Sequence, residues 1–107
     1  METLTPTELA RRLREPHPPR LLDVREPEEH AFCALPDSRL LPLGELGTRA
    51  AELADWEDQE IVVYCHHGIR SARAVGMLHQ MGFTRVFNLS GGVDRWTAEV
   101  DPAFPRY

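Results

Sequence analysis

The stretch that most constrains this chain is Ile61-Val62-Val63-Tyr64-Cys65-His66-His67-Gly68-Ile69-Arg70-Ser71. Ile61 to Tyr64 is β-branched and aromatic and too short for a helix, so it reads as a buried strand. Ser71 to Met81 has helical spacing, with Ala72, Val75 and Leu78 on one face. Cys65 therefore stands where a strand stops and a helix N-terminus begins, the end of an open α/β sheet at which ligands bind. A helix N-terminus carries roughly half a positive charge and several unpaired N–H groups. Arg70 adds a full charge at the far side of the turn. Both favour the thiolate of a sulfur whose free pKa is about 8.5. Gly68 allows backbone angles that aim successive amides inward as an anion-binding nest. A buried, inert cysteine closing a strand fits the same spacing. The spacing alone leaves these two readings level.

The flanking sequence repeats the alternation of strand and helix. Thr5-Pro6-Thr7-Glu8 is a capping box with proline at the first helical position, and the helix runs through Leu9 and Leu13 to stop before Pro16. Arg20 to Val24 reads as a strand, and Pro27 to Phe32 as a short helix with acidic residues in its first turn. Leu35-Pro36-Asp37-Ser38 is a turn, Leu40-Leu41 a short strand, and Gly44 to Trp56 a helix with Leu46, Ala50 and Leu53 on its buried side. Gly82 suits a helix C-cap, Arg85 to Leu89 a further strand, and Ser90-Gly91-Gly92 a turn into a short helix containing Trp96. The proline-rich segment after Asp101 is expected to trail over the surface. Strands alternating with helices predict an α/β fold of three layers, a mostly parallel central sheet with helices on both faces.

A length of 107 residues fits one domain over 1–107. The net charge of −5 argues against nucleic acid or an anionic membrane as the main partner, so any anion site is local. No run is long enough to span a bilayer, and Met1 to Arg14 has no apolar signal-peptide core, which predicts a cytoplasmic protein. Cys33 and Cys65 match no zinc spacing and are too few for a disulfide scaffold.

On four pieces in order, the chain resembles the single-domain rhodanese-like sulfurtransferases. Leu22-Asp23-Val24-Arg25-Glu26 is similar to that family's early Asp-Val-Arg strand end. Leu35-Pro36 through Leu41-Pro42 resembles its His-Ile-Pro-Gly-Ala stretch, with Ala34 and Asp37 where the family usually has His and Gly. Cys65 to Ser71 resembles its Cys-x-x-Gly-x-Arg-Ser loop, and Gly91-Gly92-Val93-Asp94-Arg95-Trp96 its Gly-Gly-x-x-x-Trp signature. The resemblance implies a thiosulfate sulfurtransferase in which Cys65 attacks a sulfane sulfur, becomes a persulfide and passes the sulfur to cyanide, a thiol or a sulfur-carrier protein. The amides from His66 through His67, Gly68, Ile69 and Arg70 to Ser71 then bind the small sulfur-containing anion. Neither a metal nor an organic cofactor is expected.

Two other readings stand beside this one. A persulfide relay or protein-docking module shares the same cysteine without independent turnover. A cysteine phosphatase or arsenate reductase is disfavoured, because such enzymes resemble this fold with a loop longer by one residue, whereas four residues separate Cys65 from Arg70 here. Adjacent His66 and His67 do not match metal-ligand spacings and are expected to shape the pocket mouth. Asp23 is a candidate to fix Arg70 by a charge-assisted hydrogen bond, against an ordinary strand-end role for Asp23 and Arg25. Cys33 and Trp96 are expected to be packing residues, and His30 a surface or packing residue.

Overall fold

The computed structural model describes residues 2–107. Five strands, β1 (Thr3–Leu4), β2 (Arg20–Asp23), β3 (Arg39–Leu40), β4 (Ile61–Tyr64) and β5 (Val86–Leu89), form one sheet in the order β1-β5-β4-β2-β3. Every pairing is parallel. β4 lies in the middle, with Leu22 beside Val63 on one flank and Val86 beside Ile61 on the other. A strand covered on both faces is apolar throughout, and all of Ile61 to Tyr64 is fully buried.

The helices are α1 (Pro6–Arg12), α2 (Pro27–Phe32), α3 (Leu43–Arg49), α4 (Ile69–Gln80) and α5 (Gly92–Glu99). Alternate residues of the strands point to opposite faces, and this divides the core in two. Leu22, Ile61, Val63 and Val86 pack with Leu46, Leu53, Trp56, Val75 and Leu78. Leu21, Val62, Tyr64 and Leu89 pack with Leu9, Val93, Trp96 and Phe104. Helices therefore cover both faces, as the alternation of elements predicts.

Three local expectations change. The expected helix over Gly44–Trp56 is an α-helix only to Arg49, then a 3-10 helix over Ala50–Trp56. Leu53 and Trp56 are three apart, and a three-residue period places both inward. Ala50 is only half-buried. The inner face of α4 is Ser71, Ala74, Val75 and Leu78, with Ala72 turned partly outward. The segment after Asp101 does not trail over the surface, for Phe104 is buried in the core. The Thr5–Glu8 capping box forms as expected, with both reciprocal bonds.

One close approach sets the geometry near the loop that follows β4. The N-terminus of α5 runs directly beneath the chain that leaves β4. The Val93 amide donates to Cys65 O at 3.0 Å and the Asp94 amide to His66 O at 3.0 Å. Gly92 has φ +61, and a Cβ there would lie 2.4 Å from His66 O. Gly92→Ala is expected to destabilise the fold by roughly 1–3 kcal/mol, the usual range for overpacking. A urea midpoint equal to wild type would contradict this packing.

Candidate active site

Cys65 is the first residue beyond the central strand, and the α4 N-terminus is built around its sulfur. Gly68 caps the helix in the left-handed conformation at φ 97. Its amide donates to Cys65 Sγ at 3.1 Å, and the Ser71 amide donates at 3.4 Å. A Cβ at Gly68 would meet the Gly91 backbone at 3.2 Å, so the position favours glycine by both angle and space. Among the described residues, the amides of His66, His67, Ile69 and Arg70 have no acceptor within the chain. Cys65 itself is 1% exposed. Its sulfur is nevertheless not sealed in hydrocarbon, because polar donors converge on it from the loop. The loop carbonyls do not line the hollow either: those of Cys65 and His66 are turned to α5.

Ser71 reaches the same sulfur, with its Oγ 3.3 Å from Cys65 Sγ. The Ser71 hydroxyl donates to Asn88 Oδ1 at 2.5 Å, and Asn88 Nδ2 donates to Gly68 O at 3.2 Å. The second bond orients the Asn88 amide, which leaves Oδ1 facing Ser71. With its proton on Asn88, Ser71 Oγ accepts the S–H of a protonated Cys65. Turned to the sulfur, the same proton serves an anionic one.

Arg70 pairs with Glu29, not with Asp23. Its Nη1 and Nη2 bond Glu29 Oε1 at 2.6 Å and Oε2 at 3.0 Å. Of the two readings of Asp23, the bond to Arg70 is therefore not made. Asp23 is engaged elsewhere, bonding Arg25 Nε at 2.9 Å, Arg25 Nη2 at 2.8 Å and His30 Nδ1 at 2.8 Å. Asp23 and Arg25 are both fully buried. The Arg25 guanidinium is completed by Cys33 O at 2.5 Å and Tyr107 Oη at 2.9 Å. Desolvation works against the charge on Arg25, yet the bonds to Asp23 and Tyr107 hold its pKa above the ordinary arginine value. His30 thus has a definite partner in the Asp23 carboxylate.

The two histidines follow Cys65 at the outer edge of the loop, His66 half-buried and His67 exposed. Their rings stack at 3.9 Å with planes 27° apart, and His66 stacks on the other side against Tyr107 at 3.8 Å. Burial lowers the His66 pKa, and the neighbouring His67 adds to the effect. His66, His67 and Asp94 bring potential metal-ligating atoms within 4.8 Å of one another. A metal must lie in the plane of each ligating ring, about 2 Å from nitrogen. Stacked planes this nearly parallel meet far from either ring, so the imidazoles do not converge on one ion in this arrangement.

Cys33 and Cys65 are both free and lie in different core clusters, on opposite faces of the sheet. Cys33 Sγ faces Arg25 Nη1 and Pro105 O at 3.9 Å each. It is a packing residue, as expected. Among the described residues no helix is long and apolar enough to cross a membrane.

Sequence reasoning missed three residues of this constellation. Asn88 had a signal: it is the one polar residue of an otherwise apolar strand, Val86-Phe87-Asn88-Leu89, and a buried amide needs partners. Glu29 reads equally well as an ordinary first-turn acid of α2. Tyr107 carries no local signal.

Comparison with known proteins gives this fold and loop a family. The chain belongs to the rhodanese-like domain family, whose description matches residues 5–99. It is 38% identical over 88 residues to a sulfurtransferase of Allochromatium vinosum, covering 82% of this chain and 80% of that protein. It is 37% identical over 101 residues to the adenylyltransferase and sulfurtransferase MOCS3 of Arabidopsis thaliana, covering 81% of this chain but 22% of that protein. The human single-domain sulfurtransferase TSTD1 superposes with a TM-score of 0.79 at 28% identity, covering 92% of this chain and 97% of that one. The family is one of sulfurtransferases and sulfur carriers.

The Glu29–Arg70 pair makes the site's charge pattern sensitive to acid. The hydrogen bond from Arg70 holds the Glu29 carboxyl down at about 2, against an ordinary 4.5 and in spite of partial burial. On acidification the unfolded chain binds this proton first. The stabilisation is therefore complete above the ordinary value of 4.5 and is lost as pH falls towards about 2. Glu29→Gln is expected to flatten the acid limb of a urea-stability profile across that window. Profiles that fall in parallel for both proteins would show that the pair contributes nothing.

Proposed function

We propose that the chain is a thiosulfate-type sulfurtransferase with Cys65 as its nucleophile. The observation that carries this reading is the convergence of the Gly68 and Ser71 amides on Cys65 Sγ, beside four amides of the same loop that have no acceptor in the chain. That arrangement suits an anionic sulfur that gains one further sulfur atom. The Cys65 thiolate attacks the outer sulfur of thiosulfate, the S–S bond of the donor breaks, and sulfite leaves with the bonding pair. The product is a Cys65 persulfide anion, so charge and atoms balance. A nucleophile then attacks the terminal sulfur. Cyanide leaves as thiocyanate, or a thiolate leaves as its own persulfide, and the Cys65 thiolate is restored.

His66, His67, Gly68, Ile69, Arg70 and Ser71 supply the cradle in this reading. Arg70 is paired bidentately with Glu29, so it adds orientation more than raw charge. The four-residue spacing from Cys65 to Arg70 makes a narrow cradle, which suits a sulfane sulfur better than a phosphoryl group. Two exposed apolar side chains flank the site: Ile69 on the loop, 74% exposed, and Phe32 on the helix that carries Glu29, 58% exposed. They favour an acceptor presented by a protein, such as a sulfur carrier, over a free small molecule in the cell. Similarity to a relative that joins a sulfurtransferase with an adenylyltransferase supports the same view. Two free thiols suit a reducing compartment, the cytoplasm.

Incubation with thiosulfate is expected to add one sulfur atom to the intact protein by mass spectrometry. Cyanide should remove it, and Cys65→Ala should never acquire it. Cys33→Ser should load and turn over as wild type does, because its sulfur lies on the other face of the sheet. Arg70→Ala should lower turnover by more than its loss of stability explains. A wild-type mass that stays unchanged with every sulfane donor would remove this function.

A further inference from the structure

The segment after Asp101 returns to the active site and is fastened there. Phe104 is 8% exposed among Leu9, Val93 and Trp96, and its carbonyl accepts from Thr97 Oγ1 at 3.2 Å. The Ala103 amide donates to Asp101 Oδ1 at 3.0 Å, and Arg106 Nε donates to Asp94 Oδ1 at 3.2 Å. These contacts deliver Tyr107 to the mouth. Its ring lies flat on His66, with centroids 3.8 Å apart and planes 13° apart. The ring edge meets Phe32 at 6.0 Å and 80°. Its hydroxyl accepts from Arg25 Nη1 at 2.9 Å and donates to Glu29 Oε2 at 2.8 Å. Glu29 is the residue that grips Arg70. Tyr107 therefore spans the catalytic loop from His66, the residue after Cys65, to the partner of Arg70 at its far end. Burial and the Glu29 carboxylate push the phenol up to about 12, against the pull of Arg25, so the hydroxyl keeps the proton it donates.

We infer that Tyr107 is a specificity-determining residue of the Cys65 site: its ring walls the mouth against bulky sulfur donors and acceptors, and its hydroxyl positions the Glu29–Arg70 pair. With the ring seated, slim anions such as thiosulfate and cyanide reach the sulfur. A thiol carried on a peptide or protein requires the ring to lift from His66. Tyr107 is 44% exposed and held by one stack, one edge contact and two hydrogen bonds, so it is a removable wall and not a core residue. The substrate part of this inference rests on the sulfurtransferase reading above. The steric part does not.

The test uses alkylation of Cys65 in a Cys33→Ser background, comparing iodoacetamide with a polyethylene-glycol maleimide. Tyr107→Ala should raise the bulky-to-small rate ratio about tenfold, one decade for the loss of the stack and the hydroxyl bonds. Tyr107→Phe keeps the ring, so its ratio should stay within about twofold of the parent, while its KM for thiosulfate rises as Arg70 loosens. In turnover, Tyr107→Ala should shift kcat/KM towards glutathione and away from cyanide by a similar factor. An alkylation ratio in Tyr107→Ala equal to the parent would overturn the inference. Failure to form a persulfide would instead remove the sulfurtransferase reading and leave the alkylation result standing.

Discussion

Two backbone hydrogen bonds fix the direction of the active loop. The carbonyls of Cys65 and His66 accept from the Val93 and Asp94 amides at the start of α5. In a planar trans peptide the N–H points opposite to the carbonyl. Tying these two carbonyls down to α5 therefore turns the amides of His66 and His67 away from it. The same contact needs Gly92, since a side chain there would run into His66 O. The glycine pair after β5 and the cysteine after β4 are thus two halves of one device. One half sets which way the first two amides of the other turn.

A chain of polar contacts surrounds this device. Asp23 holds Arg25, Arg25 bonds Tyr107, Tyr107 bonds Glu29, and Glu29 holds Arg70. Its inner member, the Asp23–Arg25 pair, is fully buried. A buried ion pair carries a large desolvation cost unless its remaining donors and acceptors are met. Here the Cys33 carbonyl, the Tyr107 hydroxyl and His30 meet them. The outer member, Glu29–Arg70, is partly open to water and correspondingly weaker. The ion pairing thus weakens from the sheet outward, and Tyr107, which bonds Arg25 and Glu29, joins the buried pair to the partly exposed one.

Legibility in the sequence followed the distance between partners. The capping box at Thr5 and Glu8 closes within a few residues, so spacing alone revealed it; the Cys65–Ser71 turn is equally local, but spacing left a nest and an inert cysteine level. The apolar run Ile61–Tyr64 marked the central strand because a strand buried on both faces tolerates nothing else. The Gly44–Trp56 helix was legible as helical but not as two kinds of helix, because apolar residues three and four apart fit both periods. β1 was invisible: two residues carry no periodicity, and Thr3–Leu4 becomes a strand only by pairing with Asn88 and Leu89.

By itself, the amino-acid sequence determined a strand–cysteine–turn–helix unit and the alternation that makes a parallel sheet around it. Those features come from local torsional preference and from the burial each residue type requires. Only the tertiary structure decided which charges meet. Arg70 and Glu29 are 41 positions apart, and Arg25 and Tyr107 are 82 apart. Asp23 was one candidate partner for Arg70, but its oxygens are bonded by buried Arg25 and half-buried His30. Competition among several acids and several arginines is settled by which elements the packed sheet brings side by side, and no spacing along the chain encodes that outcome.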